Sequence, residues 1–505
     1  MPRTITWDLR IDWSLSGSYV DESARLIAAN GRMALAAPES SISSPRGTVD
    51  QCTLTLNNYD GRYSPLNTSG ALYSSLQLGK AYHAPMYLRV SIDGGSNYDR
   101  VFTGVIKIPR EGPPYPNVGA TVEIDCRSRD EILLNKRIST TLAVFQAMHD
   151  GGYTESQIIE QFLDDAGLSS GDYTLDPGLF VVPWAWLDDE SPVEDIWQLA
   201  AACGGRFYVD PDGEFRYENM THWLMSPHTT SQETLTKASY GQMVGPTYDD
   251  RELYNAVTVV ASPREQLESG TLWAADATVV VPANSSKTIV AKLRQPAYAI
   301  EGAEYTAVSG GGRNMDADVS IVLTSYAQRV ELTITNANST YAVELVSLSV
   351  VGIPVSGAPT VEETRESILT FWTSLPTARP GRTKLMRGNA YLQTQAQAEV
   401  LAEFLRDRYQ LPRLSWQLKN VPGDPERRLG DRVTVGNADV MSSNRDGFLT
   451  AIVWRLSSKG FVQDLDVIDA GSNAEGTGLF PYDSYFVIGT NTLGSGGGST
   501  ARIFY

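Results

Sequence analysis

The chain has 505 residues, of which 42% are hydrophobic, and its 41 lysines and arginines stand against 59 aspartates and glutamates, for a formal net charge of −18 at pH 7. This length predicts three or four domains with packed cores. The acidic balance argues against binding of nucleic acid through its phosphates, which requires an excess of basic side chains.

Residues 1–135 are predicted to form an N-terminal β-barrel-like domain. The stretch at 4–13 alternates apolar and polar residues, the period of a half-buried strand, and its apolar face carries Ile5, Trp7, Leu9, Ile11 and Trp13. Further strands are predicted at 52–56, 86–92, 101–108 and 120–126. So many strands without a helix of note are typical of a small barrel or sandwich.

Residues 136–240 change in character and predict an α+β domain. Thr154 and Gln157 have capping-box spacing before a helix that ends at Gly167. A second helix is predicted to begin at Ser191, with Pro192 in its first turn. Residues 206–218 then predict a hairpin that turns at Pro211–Gly213.

The remaining chain predicts β-structure in two interleaved parts. Residues 241–261 plus 361–470 are expected to form a second β-domain, which includes a helix capped by Thr394. Residues 262–360 are expected to form a β-sandwich inserted into it. Residues 471–505, rich in glycine, serine and aromatic residues, predict an extended tail. The fold class is therefore mainly β with an α+β insertion.

The stretch "LTLNNYDGRYSPLN" at 54–67 has the residue types of a calcium loop or of a turn. In a calcium loop, Asn58, Asp60 and Gly61 would stand at positions 3, 5 and 6. Position 1 would then be Leu56 and position 12 Asn67, neither of which is a suitable ligand. A tight turn after a strand is the better interpretation.

No other stretch predicts catalysis, a metal site or a cofactor. The acids at 188–190 and at 249–250 are neighbours in sequence, so they point apart and do not suit the convergent pair that a glycosidase needs. A solvated loop, or negative charge at the helix N-terminus before Ser191, is the better interpretation. The glycines at 309–313 lie between strands and predict a turn. Buried thiols are the expectation for the three dispersed cysteines, Cys52, Cys126 and Cys203.

Several stretches taken together resemble a known family. "QCTLTLNNYDGRYSPLN", "LYSSLQLGKAYHAPMYLRVSI", "RVFTGVIKIP" and "VEIDCRSRDEIL" resemble the opening domain of tail hub proteins of tailed bacteriophages and prophages, often called minor tail or baseplate hub proteins. "PGDPERRLGDRVTV" and "GFLTAIVWRLSSKGFVQDLDV" look like the closing β-domain of the same hubs. The resemblance covers roughly 1–260 and 361–470, but not 262–358 or the tail.

The resemblance implies a structural protein of the virion tail tip. It implies a homotrimeric ring of two barrel-like domains per subunit, which meets the distal tail protein ring, holds a central fibre or spike, and lets the tape measure protein and then DNA pass through its lumen. An acidic lumen would let DNA slide without specific binding. The N-terminus has no signal-peptide pattern and no run of 18 apolar residues occurs, so we expect synthesis in the host cytoplasm and no membrane span.

Two alternatives belong to other functional classes. The inserted sandwich could bind a host-surface glycan, with four aromatic residues as candidates for stacking: Trp273, Tyr298, Tyr305 and Tyr326. A tail-associated cell-wall hydrolase would need convergent acids, a zinc site or a Cys/His pair. In the tail, six aromatic residues are expected to anchor a partner: Phe480, Tyr482, Tyr485, Phe486, Phe504 and Tyr505.

Overall fold

The computed structural model describes residues 3–36, 47–77, 79, 81–112, 120–248, 254–367, 383–386, 388–410, 414–441 and 443–470. The structure is mainly β, with 46% strand and 16% helix. The mainly β fold class is thereby confirmed.

The N-terminal region consists of strands and two short helices. The strands are β1 (Thr6–Ile11), β2 (Val20–Asp21), β3 (Leu26–Ala34), β4 (Gln51–Asn57), β5 (Pro85–Ser91), β6 (Asp99–Ile106), β7 (Arg110–Glu111) and β8 (Thr121–Ser128). The helices are α1 (Tyr73–Gln77) and α2 (Asp130–Leu134). The five predicted strands are all present as β1, β4, β5, β6 and β8, whereas β3 was not predicted.

The α+β region follows, with its helices packed against small sheets. Its elements are β9 (Ile138–Ser139), α3 (Leu142–Gly151), α4 (Glu155–Asp165), β10 (Tyr173–Leu175), β11 (Asp188–Glu190), α5 (Pro192–Ala202), β12 (Arg206–Val209) and β13 (Phe215–Glu218). Strands β12 and β13 form the predicted hairpin, and β10 lies parallel to β13.

Three strands lead from the α+β region to the inserted part of the chain: β14 (Glu233–Thr236), β15 (Gln242–Tyr248) and β16 (Ala256–Ala261). The inserted part contains β17 (Arg264–Gln266), β18 (Gly270–Ala274), β19 (Val279–Val281), β20 (Ser285–Lys292), β21 (Ala297–Val308), β22 (Val319–Ser325), β23 (Arg329–Asn336) and β24 (Val343–Gly357). β24 is paired with β17, β18, β19 and β21, while β20, β23 and β22 form a second sheet. Apolar side chains from both sheets share one core.

The last part contains β25 (Val361–Glu366), β26 (Thr383–Met386), α6 (Gln395–Tyr409), β27 (Leu414–Pro422), β28 (Arg432–Gly436), β29 (Arg445–Ser457) and β30 (Gly460–Asp469). Strands β25 and β26 flank β16 in a three-stranded sheet. This sheet and α6 pack into the core of the α+β region. Residues 256–261 and α6 were assigned from sequence to the second β-domain, so that boundary differs from the packing.

One sheet joins the first and the last described regions of the chain. Its strand order is β15-β27-β30-β29-β3-β4-β8-β6-β5-β1-β2, with β7, β14 and β28 attached at its sides. The first and last regions meet where β29 pairs antiparallel with β3, from Ala451 opposite Ala34 to Ser457 opposite Ala28. A single hydrophobic core contains residues from both regions.

Candidate assembly site

The turn motif that begins after β4 is organised around the buried carboxylate of Glu22. Glu22 Oε1 accepts hydrogen bonds from Trp13 Nε1 at 3.0 Å and from the Arg62 guanidinium at 2.7 Å. Glu22 Oε2 accepts from the Tyr63 hydroxyl at 2.6 Å, and the pKa of Tyr63 is raised by burial and by this bond. A buried carboxylate is tolerated when it is paired and hydrogen-bonded. Glu22 therefore fastens the loop after β1 to the loop after β4.

The loop of residues 58–73, which we call the turn ladder, consists of five consecutive turns. Each turn closes with an amide N–H that donates to the carbonyl three residues earlier, at 2.8 to 3.2 Å; the donors are Gly61, Ser64, Asn67, Gly70 and Tyr73. Gly61 has φ of +66°, a backbone conformation that glycine adopts without strain. The backbone of the turn ladder is thus internally hydrogen-bonded along its length.

The polar side chains of the motif are engaged within the protein. Asn58 Oδ1 accepts from the Tyr63 amide at 2.9 Å, and Asn58 Nδ2 donates to Glu111. Asp60 accepts two hydrogen bonds from Arg25, at 2.8 and 2.6 Å, which lower its pKa to about 2. Within the described ranges, no group of three or more His, Cys, Asp or Glu side chains could hold a metal ion. The motif is a turn, as the sequence predicts.

Trp454 marks the junction between the two halves of the large sheet. It lies on β29 directly opposite Gly31 on β3, and its indole is fully buried. A Cβ at Gly31 would lie 2.4 Å from Trp454 Cζ2, much closer than real Cβ contacts allow. Only glycine therefore fits beneath this indole, and the close approach helps the two halves share one core.

The three cysteines are free and buried, which confirms the expectation of buried thiols. Cys52 and Cys126 lie directly opposite each other on β4 and β8. Burial raises the pKa of Cys52 and of Cys203 well above the ordinary value of a thiol. These groups are held in the thiol form, which suits packing rather than nucleophilic chemistry.

An aromatic contact joins the α+β region to the large sheet. Trp223 stacks on Phe448 of β29, with ring centroids 4.6 Å apart, and the guanidinium of Arg206 lies 3.6 Å from the centre of the Trp223 ring. Glu218 accepts from Trp223 Nε1 at 3.2 Å and from the Tyr208 hydroxyl at 2.6 Å. Burial lowers the pKa of Arg206. The junction is thus both stacked and hydrogen-bonded.

A second aromatic contact joins the inserted sheets to the α+β region. His149 on α3 stacks on Trp184 with ring centroids 3.6 Å apart, and Tyr298 on β21 lies edge-on to both rings. The Tyr298 hydroxyl donates to the Asp150 carboxylate at 3.1 Å. This contact holds the inserted part against α3.

The four candidates for glycan stacking do not converge on one exposed face. Tyr298 is engaged by α3. Tyr326 forms a backbone β-bridge with Thr141, and the guanidinium of Arg329 lies over its ring. Trp273 and Tyr305 are paired across strands with the buried Val350 and Leu348, so both point into the core between the two sheets. Glycan binding through these residues stays a prediction, which a glycan array can measure.

The acids, the glycine run and the tail aromatics that the sequence analysis singled out can also be located. The acids at 188–190 form β11 instead of a loop, and Lys292 Nζ lies 3.2 Å from Asp188. The glycine run at 309–313 is a turn, closed by the Ser309 amide on the Arg313 carbonyl. The acids at 249–250 lie outside the described residues, as do the six tail aromatics: Phe480, Tyr482, Tyr485, Phe486, Phe504 and Tyr505.

Among the described residues, no helix is long and apolar enough to cross a membrane.

Sequence reasoning missed Glu22, the residue that organises the turn motif. It lies in an ordinary polar stretch, "YVDESARL", and nothing in its spacing indicates that it is buried. The donors that Glu22 accepts from, Trp13, Arg62 and Tyr63, come together only in the folded protein, so no signal in the sequence marks it.

Comparison with known proteins gave structural similarities only. No protein-family model and no curated protein matches the chain. A tail protein from Neisseria meningitidis MC58 is similar, with a TM-score of 0.47 and 10% identity over 94% of this chain and 98% of the other. The 43 kDa tail protein of prophage MuSo2 from Shewanella oneidensis has a TM-score of 0.46 and 11% identity over 92% and 98% of the two chains.

A third similar structure is the E. coli c3393 protein, a component of the type VI secretion system with structural similarity to the T4 tail proteins gp27 and gp5. It has a TM-score of 0.39 and 10% identity over 88% of this chain and 73% of the other. Two of the three are tail proteins, the class that the sequence resemblance predicts. Because all three TM-scores lie below 0.5, the function proposed next rests on this chain's own residues.

Proposed function

We propose that this chain is a ring-forming hub at the tip of a phage or prophage tail, and that it acts through assembly and shape. Three copies would form the ring that joins the tail tube and the distal tail protein to a central fibre or spike. The tape measure protein, and later DNA, would pass through its lumen. The observation that carries the proposal is the single sheet that the first and the last described regions build together, joined at β3 and β29.

The ends of this sheet suit a closed ring. One end is β15 and the other is β1 with the short β2, so the two ends differ in sequence and shape. Contacts between unlike surfaces of identical subunits build rings when the rotation closes. Two sheet-forming regions per copy would give three copies six segments around the lumen, which would suit a distal tail protein ring of six copies.

The net charge supports passage of DNA without binding. A chain of net charge −18 presents more carboxylates than cations, and carboxylates repel phosphates at short range. We propose that acidic side chains line the lumen. An assembled ring with a basic lining would overturn this part of the proposal.

We further propose that residues 471–505 anchor a neighbouring subunit or the fibre through their aromatic residues. Deletion of 471–505 should leave the thermal unfolding of the folded regions unchanged and should impair particle assembly. Normal particles from the deletion would exclude this role.

The test of the hub is the mass of the purified full chain by light scattering, followed by electron microscopy of the assembly. We expect a mass of three copies and a ring with a central opening. A monomer across the micromolar range, in the presence and absence of the distal tail protein, would contradict the proposal. Release of soluble fragments from peptidoglycan by the same preparation would favour the hydrolase instead.

A further inference from the structure

We propose that the turn ladder is the surface through which one copy of this chain binds a second copy, with Tyr59 and Leu66 as the side chains that enter the neighbour. This inference rests on the proposed ring and adds a second contact to the one between the unlike ends of the large sheet. It gives a role to the motif that the fold alone does not explain, because Glu22 and the five turns position residues that make little contact within their own chain.

Tyr59 and Leu66 are the most exposed large apolar side chains in the described part of the molecule. Each is 83% exposed, whereas the next, Val322, is 64% exposed. A folded chain gains nothing from holding an aromatic ring and a leucine in water, since burial of such side chains contributes roughly 1.5–3 kcal/mol each. Two of them on one loop indicate a surface that is covered in the assembled state.

The turn ladder is also ordered in advance of binding. Its five turns fix the backbone, and Asn57 Oδ1 accepts from the Tyr59 amide itself at 2.9 Å. Gln77 donates to the Pro65 carbonyl, next to Leu66. A loop that is already fixed loses little conformational entropy on association, and tyrosine is enriched among the side chains that dominate interfaces. The exposed pair is therefore presented by a rigid support.

Charge indicates that the neighbour is another copy. Residues 57–77 contain one acid and one base, Asp60 and Arg62, and each is already paired within the chain, to Arg25 and Glu22. Two copies of net charge −18 repel each other, so a contact between them costs least where the surface carries no unpaired acid. The turn ladder is such a surface, and it avoids placing like charges together.

The experiment combines loss of contact with direct capture. The double variant Tyr59→Ser with Leu66→Ser is compared with the parent by light scattering over a concentration series, and Val322→Ser is the matched exposed control. We expect the double variant to need at least tenfold higher concentration to assemble, while Val322→Ser assembles like the parent. Below the concentration at which the parent assembles, all three should share one melting temperature, because the substituted side chains are exposed in the single chain.

A photoreactive benzoylphenylalanine in place of Tyr59 should cross-link to a second copy, whereas the same probe in place of Val322 should not. If the parent forms a ring and the double variant forms it equally well, or the Tyr59 probe captures no second copy, the turn ladder is not the contact and the ring survives. If the parent itself is monomeric, the proposed ring and this inference both fail.

Discussion

Glu22 illustrates how one side chain can organise residues that lie far apart in sequence. Tyr63, which donates to it, is 41 positions away, and Trp13 and Arg62 reach it from two different loops. The sequence predicted the turn at 58–61 from its Asn, Asp and Gly. It could not predict the carboxylate beneath it, because the contact depends on how the loops after β1 and β4 are brought together by the sheet.

Replacement of Glu22 by Gln should destabilise the protein by about 2–4 kcal/mol, because the Arg62 guanidinium loses its buried counter-charge and one donor is left without an acceptor. Urea unfolding measures the loss. Asp60→Asn is the control, since its bond to Arg25 is exposed and such pairs contribute at most about 1 kcal/mol. Equal effects of the two substitutions would show that Glu22 is not the centre of the motif.

Asp130 is a second buried acid, and its environment predicts a pH dependence. Its carboxylate accepts from Ser128 Oγ at 2.6 Å, and burial raises its pKa to about 7. Asp50, also buried, has its pKa raised by burial and by the nearby Asp130. Between about pH 4 and pH 7 the unfolded chain releases the Asp130 proton while the folded chain keeps it, so stability falls as pH rises and levels off above 7.

Asp130→Asn should remove the share of this dependence that comes from Asp130 and leave the share of Asp50, because the amide oxygen can still accept from Ser128 and carries no charge. Relative to the parent, the variant should gain at most about 2.7 kcal/mol between pH 5 and pH 8, because the folded parent keeps the proton that the unfolded chain has lost over about two pH units within this range. Urea unfolding at both pH values is the measurement. Asp93→Asn serves as a control, since the pKa of Asp93 is lowered to about 2 by its Ser91 hydrogen bond and does not change state in this range. An Asp130→Asn difference that is the same at both pH values would contradict the assignment.

At the scale of elements, the sequence signals for the start of a helix were reliable where the capping contacts are local. The Thr154–Gln157 capping box is present, and Thr394 Oγ1 accepts from the Gln397 amide at 3.2 Å, as predicted. Ser191 precedes α5 as predicted, but its hydroxyl donates to the Leu133 carbonyl instead of capping the helix. A tertiary acceptor competed successfully with the local one, which a single sequence cannot reveal.

The missed strand β3 is the element that joins the two halves of the large sheet. Its pairing with β4 shifts between Leu26 and Ala28, which breaks the regular alternation, and Gly31 lowers strand propensity. Because of both features, the sequence of β3 lacks the regular alternation that predicts a strand. The glycine is nevertheless required, because the Trp454 indole occupies the space of its side chain.

Gly31→Ala should therefore destabilise the junction by about 1–3 kcal/mol through overpacking against Trp454. Thermal unfolding measures the loss, and Gly302→Ala is the matched strand control because a Cβ there meets nothing within 4 Å. In a double-mutant cycle, Trp454→Leu should relieve part of the cost of Gly31→Ala. Full additivity of the two substitutions would show that the indole is not the obstacle.

At the scale of the whole molecule, sequence identified the regions more easily than their partners. Strands β17–β24 all lie within 262–360, the part of the chain that was expected to be inserted β-structure. The assignment of 256–261 to the second β-domain differs from the packing, because β16 belongs to the core around α4, α5 and α6. The core to which a strand belongs is set by contacts that are distant in sequence. The residues of β16 therefore do not indicate whether they pack with the second β-domain or with the α+β region.

The strands on either side of the inserted part are direct neighbours, which leads to the last prediction. β16 ends at Ala261 and β25 begins at Val361, and these two residues face each other in an antiparallel pair. The 99 residues between them therefore stand where a hairpin turn would suffice. Replacing 262–360 by Asn-Gly should leave the large sheet and the α+β core folded, because that dipeptide favours the tight turn such a pair requires.

The shortened chain should still unfold cooperatively. By light scattering it should form the same number of copies as the parent, since the large sheet keeps all of its strands. Its melting temperature should fall, because Phe145 and Trp184 lose the cover of Ala327 and Val355. Adding Phe145→Ser in the shortened chain should cost less than it does in the parent, where the side chain is fully buried. A shortened chain that aggregates even with Phe145→Ser would show that the inserted part is needed for folding, and the two-sheet unit would then be a structural core instead of an addition.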